Sequence, residues 1–457
     1  MGTDVKRIGF LEKLGFCTFS AASNVLFNFK DLFYLFFLTN VMGIKIAHAG
    51  IITGIGIVWD AVNDPMVGYW AVNHRFKSGE MCRPFALWCA VPWAFFTVLM
   101  FTCFNVSYAM KLALAISIYF LFELFNTFAS IPYNTMGSLA TNLDADRRAI
   151  NVARNLGACL GSAIGSLALY PLLNLFGGLD SDGNVLRNAA GQNAFFRAAI
   201  VMGCVAIAGS LVHYATTRER IHQQSDDDSR ISFLQTVKML VSCRSWVVNM
   251  VYVICYGMLN LLVMSTINYY ATYVLGSSSA ATPILAVYLV MNVISTMLAI
   301  PVDKKLGRRK TMIFGACVYI LGKVWFVLDP HNVAAMYLNA LSVALAMSLA
   351  YVCFNTNRNN IADLLEFQNG RRIDSMVSTC ENLASKLAKA GANLLLTFTL
   401  SANGFNAELP TQPQAAVNTI CALLGWVPML VAGVMLVAAW LHPIEKEMAR
   451  MRQGREG

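Results

Sequence analysis

Three polar residues interrupt a long apolar run: Asp60, Asn63 and Asp64, in the stretch WDAVNDPMVG from Trp59 to Gly68. At spacing i, i+3 and i+4 they share one helical face, with the two carboxyl groups about 6 Å apart. An ionised residue at a bilayer centre costs roughly 2.5 to 3.5 kcal/mol even on the most lenient scale, so such groups face a cavity, a partner or an ion. Two carboxylates and an amide oxygen suit a small cation, and Pro65, lacking an N–H, frees the carbonyl of Ala61 as a further oxygen ligand. Cation or proton binding is the chemistry implied. The structural alternative is an ion-pair cluster fastening two helices, which does not need acids in adjacent turns.

Other apolar runs carry similar stripes. Glu123, Asn126, Thr127, Ser130 and Asn134 follow one another at i, i+3, i+4, i+7 and i+11, next to Pro132, a pattern tolerated where backbone lines a cavity. Interhelical hydrogen bonding by small polar residues is the competing explanation. Ser20, Asn24, Asn28 and Asp31 share another face, with Lys30 turned about 100° from Asp31. Ser378, Asn382, Ser385, Lys386, Lys389 and Asn393 form a third stripe, and FNTNRNN, Phe354 to Asn360, contains Arg358. Were these faces to converge, they would enclose a hydrated chamber suited to a ligand rich in hydroxyl groups. Lys30 and Arg358 are the cations to watch for an acidic ligand, with structural ion pairing as the alternative for each. Trp88, Trp93, Trp246 and Trp440 read as interfacial anchors.

The elements that position these residues follow from composition. The 457 residues are 57% hydrophobic and 13% charged, against about 25% charged in a soluble domain. This is an all-α membrane protein in contact with the lipid bilayer. Apolar runs able to cross about 30 Å of hydrocarbon recur near 14–40, 47–72, 84–106, 111–140, 151–175, 194–216, 246–275, 281–303, 311–329, 333–362, 375–402 and 416–441. Twelve transmembrane helices in two six-helix bundles are expected: residues 1–216, a cytoplasmic linker 217–245 containing SDDDSR, residues 246–441, and a cytoplasmic tail 442–457. No strong sequence repeat links the halves. Lys and Arg gather on one side of these spans, so both termini are expected in the cytoplasm. The net charge of +9 reflects that bias rather than nucleic-acid binding. Twelve scattered cysteines without a C-x-x-C pair read as packing residues, and the absence of H-E-x-x-H and G-x-S-x-G argues against an enzyme.

Several segments together resemble the glycoside-pentoside-hexuronide:cation symporters, the melibiose permease group of the major facilitator superfamily. They are WDAVNDPMVG, the basic loop HRFKSGEMCRPF, IPYNTMGSLA from Ile131 to Ala140, IADLLEFQNGRRIDS, and Lys386 in the eleventh span. The resemblance implies the major facilitator fold, alternating access, and uptake of a sugar or glycoside with Na⁺ or H⁺, with no cofactor beyond that coupling ion. It implies a cation site of Asp60, Asn63, Asp64 and Thr127, where Na⁺ is one candidate, with Lys386 in coupling. Arg154 matches an Arg near the sugar. Asn24, Asn28, Asp31, Asn126, Ser130, Asn134, Asn382 and Arg358 are the other candidate substrate residues. Arg75, Arg83, Asp303, Arg308 and Arg372 are candidate gating residues, Asp303 and Arg308 lying in DKKLGRRK, which has one residue more between its Asp and Gly than the superfamily's gate motif. The family's galactoside-binding acids align with Asn24 and Ser130, and its fourth-span Tyr and Trp with Asn126 and Asn134, so a rebuilt sugar pocket is expected. An anionic sugar such as a uronide is the alternative substrate, and a lipid or drug carrier of the same fold the rival reading.

Overall fold

Lipid offers backbone N–H and C=O groups no partner, so each crossing segment closes its hydrogen bonds on itself as a helix. The computed structural model describes residues 7–74, 76, 78–141, 143–220, 233–369, 374–409 and 411–456. In chain order the helices are α1 (Phe10–Asn40), α2 (Ile46–Asn73), α3 (Arg83–Trp88), α4 (Ala90–Met100), α5 (Tyr108–Ala140), α6 (Asp144–Leu167), α7 (Leu169–Leu175), α8 (Ala189–Thr216), α9 (Phe233–Ser242), α10 (Arg244–Tyr273), α11 (Ala281–Leu306), α12 (Arg308–Leu328), α13 (Val333–Asn369), α14 (Asp374–Ala402), α15 (Gln414–Leu424), α16 (Trp426–Leu441) and α17 (Ile444–Glu456). Among the described residues nine segments are long and apolar enough to cross a membrane, or ten if α6 and α7, bent by 46°, form one span. The helices α1 and α14 have spanning length, 31 and 29 residues, but carry polar stripes and fall outside that group. The protein is a multi-pass helical membrane protein.

Two compact units divide the chain. The first is Met1–Asp226 with Ala271–Thr282 and Phe405–Gln412; the second is Asp227–Tyr270, Pro283–Gly404 and Pro413–Gly457. In the first, α1 packs against α6 and α8. Gly157, Gly161 and Gly165 recur every fourth residue of α6 against the α1 backbone: a Cβ there would come within 2.1, 2.1 and 2.5 Å of the carbonyl oxygens of Cys17, Ala21 and Val25. Small residues at this spacing let two helix backbones touch. The α2–α5 interface uses the same device at Gly56, which lies under the Tyr119 ring. One turn further on, Trp59 stacks on Phe120, centroids 5.1 Å apart, and its Nε1 donates to the Phe120 carbonyl at 3.2 Å. These contacts set the rotation of α2 and present its polar face to α5.

In the second unit α12 packs on α13 and α16. Lys323 is fully buried there and its Nζ donates to Asn339 Oδ1 at 2.8 Å and to the carbonyl of Leu424 at 2.7 Å, where α15 ends. The stretch expected as a linker contains α9, and the expected tail contains α17. Leu240, Trp246, Ile361, Val377, Ile444 and Met451 join in one apolar cluster, which ties both segments to the unit. Two expected anchors are therefore corrected: Trp246 belongs to this cluster, and Trp93 is wholly enclosed beside Phe19. Position near a span end does not reveal whether a ring faces lipid or protein, and packing of a large apolar surface decided for protein. Trp88 and Trp440 are exposed.

Candidate functional site

Asp60 and Asp64 stand one turn apart on α2, each half-buried. From α5, Thr127 brings its Oγ1 to 3.5 Å from Asp60 Oδ1 and 3.3 Å from Asp64 Oδ1. A hydroxyl has a single proton and can donate to one carboxylate at a time, so Thr127 is shared between the two acids and three oxygens are grouped. Such hard oxygens are the ligand type a small monovalent cation takes. Asn63 is buried and donates Nδ2 to the Glu123 carbonyl at 3.3 Å, fastening α2 to α5 beside the acids.

A second layer was only half visible in the sequence. Lys30 of α1 reaches Glu123 Oε1 at 2.5 Å and Asp31 Oδ1 at 3.2 Å, and Asn126 donates to Glu123 Oε2 at 3.1 Å. Glu123 is 1% exposed, and the Lys30 ammonium lies over the Tyr119 ring, 5.4 Å from its centroid. Asp60 acts electrostatically on both Lys30 and Glu123. Lys30, Asp31, Glu123, Asp60 and Asp64 thus surround one region of the first unit. Glu123 heads the stripe that carries Thr127, whereas Lys30, turned away from the Asp31 face, reads either as a cation for an acidic ligand or as a structural ion pair; which acid it meets is not legible in the sequence. The position of Lys30 favours its structural role over contact with an acidic ligand.

The candidate substrate residues of the first unit line α1, α5 and α6. Asn24 donates to the Ser20 carbonyl at 2.9 Å, and Asn28 to the Asn24 carbonyl at 2.9 Å and to Ser162 Oγ at 3.1 Å. Arg154 of α6 donates to the carbonyls of Tyr133 and Asn134 and lies over the Tyr133 ring at 4.4 Å, while Ser20 Oγ donates to the backbone carbonyl of Arg154 at 2.7 Å. Ser130 is half-buried and Asn134 exposed. Arg154 is thereby clasped to α5 just beyond Pro132, and Asp31 and Asn126 belong with the charge cluster. Arg358, Asn382 and Lys386 lie in the second unit, Asn382 exposed and the other two half-buried.

One candidate gate, Arg83, forms a clamp that is matched in the second unit by Arg309, a residue outside the expected set. Arg83 bonds Glu80 at 2.6 Å, donates twice to the Tyr214 carbonyl at 2.9 and 2.8 Å and lies over the Tyr214 ring at 4.3 Å. Glu219 accepts the backbone N–H groups of Met81, Cys82 and Arg83 at 2.8, 2.6 and 2.5 Å, satisfying the open donors at the start of α3 with an anion. In the second unit Arg309 donates to the Trp440 carbonyl, lies over that ring at 5.9 Å and gives its N–H to Glu445 at 3.1 Å. The aromatic and the acid are five residues apart in both clamps, an internal repeat too short to register as sequence similarity. Beside the second clamp, Arg308 holds Asp303 through two nitrogens, at 2.9 and 2.8 Å, and reaches Asn357 at 3.2 Å. Between them Gly307 has φ of 82°, a left-handed backbone that glycine adopts without strain. Arg75 and Arg372 lie outside the described residues.

Apolar spans in two units, with buried charge inside them and basic loops clamped by acids, define a polytopic transporter of the major facilitator type rather than an enzyme. Residues 15–446 match the family described as MFS/sugar transport protein, and the chain belongs to it. This agrees with the resemblance to the glycoside-pentoside-hexuronide:cation symporters. The chain is 24% identical to the isoprimeverose transporter of Lactiplantibacillus pentosus, over 96% of this chain and 90% of that one. It is 25% identical to the inner membrane symporter YicJ of Escherichia coli strain K12, over 97% and 95%. Among solved structures it is similar in fold to a bacterial homologue of the human lysosomal transporter Spinster, inward-facing and unoccupied, with TM-score 0.72 and 14% identity over 95% of this chain and 97% of that one.

Proposed function

We propose that this protein is a secondary symporter that takes up a neutral sugar or glycoside with Na⁺ or H⁺, through twelve spans with both termini in the cytoplasm. The observation that carries this reading is the grouping of Asp60, Asp64 and Thr127 oxygens between α2 and α5, beside an ion cluster that keeps the α5 face in place. A cation at Asp60 and Asp64 offsets their mutual repulsion and readies the site for substrate. Without it, two like charges oppose the return of a half-loaded carrier, which couples the two fluxes. The family and the relatives named symporter and isoprimeverose transporter support a sugar or glycoside as the cargo. Pairing of Lys30 with Glu123 and Asp31 favours a neutral sugar over a uronide, because the ammonium is already engaged. Lys386 is assigned to coupling and Arg154 with the α1 asparagines to substrate. The test is uptake of labelled xylosides and glucuronides into vesicles under an imposed Na⁺ or H⁺ gradient. Asp64→Cys abolishes gradient-driven accumulation on this reading; undiminished accumulation in that variant overturns it.

A further inference from the structure

Buried polar atoms need partners, and the second unit contains two neighbouring residues whose needs are half met. Glu381 of α14 is 2% exposed and Asn249 of α10 is 0% exposed. Asn249 Nδ2 donates to Glu381 Oε1 at 2.7 Å. The remaining oxygens, Glu381 Oε2 and Asn249 Oδ1, have no hydrogen-bond partner among the described residues. Both are acceptors while Glu381 is ionised, so neither can satisfy the other. Glu381 also makes no salt bridge among the described residues. The charged group acting on it from α13 is Arg358, and Cys380 is the titratable neighbour on its own helix. A carboxylate buried with one hydrogen bond and no paired cation is heavily penalised by desolvation. A single proton on Oε2 removes the charge and turns an unsatisfied acceptor into a donor.

We propose that Glu381 and Asn249 form a proton-binding site of the second unit, separate from the Asp60 and Asp64 pair of the first, with Glu381 protonated in this conformation. On the carrier reading given above, a conformational change that wets this end of α14 releases the proton, so the transport cycle responds to pH even when Na⁺ is the coupling ion. The site's occupancy can be read without transport. Infrared spectra of the full-length protein in lipid bilayers at neutral pH distinguish a protonated carboxyl from a carboxylate by its C=O stretch, which shifts in D₂O. The expected result is that Glu381→Gln, whose amide N–H replaces the proposed O–H, loses one such band. Asp64→Asn retains that band, and Asn249→Ala shifts it by removing its hydrogen bond. Loss of carboxylate intensity alone in Glu381→Gln overturns the proposal. So does abolition of the band by Na⁺ at constant pH, which would make these two oxygens a sodium site. Failure of labelled-sugar uptake bears on the proposed function and leaves this measurement standing.

Discussion

Buried charge is handled in opposite ways by the two units. In the first, Lys30 lies against two carboxylates, with Asp60 close enough to act on it. In the second, Lys323 rests on an amide oxygen and a backbone carbonyl, and Glu381 on one amide N–H, neither with an ion-pair partner among the described residues. A cluster can accept or lose a cation by rearranging partners already present. An isolated group held by neutral dipoles has only its own proton to exchange. On the proposals made above, this contrast assigns the units different tasks: cation exchange to the first, fastening and proton binding to the second.

The strongest way to break this contrast is at the acids of α2. Asp64→Asn should eliminate gradient-driven sugar accumulation while substrate exchange across vesicles at equilibrium persists; loss of exchange as well would mean that the acid serves substrate rather than coupling. Next comes the cluster. Lys30→Met leaves Glu123 buried without its cation and should destabilise the protein by about 3–5 kcal/mol, measured by denaturation in detergent, with Lys30→Met/Glu123→Gln recovering most of that loss. Lys323→Met strands only the Leu424 carbonyl and the Asn339 oxygen and should cost about 1–3 kcal/mol in the same measurement. Equal losses for the two lysine variants would erase the distinction between units. The smallest effect concerns the clamps. Glu219→Gln, which weakens three backbone hydrogen bonds, should exceed Glu445→Gln, which weakens one and is expected to cost under about 1 kcal/mol.

Individual residues show how far the sequence could be read. Asp60, Asn63 and Asp64 were legible as one face because helical periodicity is local geometry. The stripe from Glu123 to Asn134 was legible for the same reason, and Thr127 did reach the acids. Which stripe meets which was not legible: Asn126 binds Glu123 on its own helix, and Arg154 is fastened to the backbone of α5. The paired clamps were missed because in each the Arg lies more than a hundred residues from the aromatic ring and the acid it meets.

By itself the sequence determined a membrane protein of apolar helices, with charges on particular faces of α1, α2, α5 and α14, since hydrophobicity and the 3.6-residue turn are properties of single segments. Only the tertiary structure decided that Lys30 answers Glu123, 93 positions away, that Trp93 lies inside, and that Glu381 makes no salt bridge among the described residues. Those outcomes depend on how each helix is rotated against its neighbours. That rotation is set by close contacts such as the α6 glycines on α1 and Gly56 under Tyr119, in which side chains distant along the chain compete for the same few ångströms.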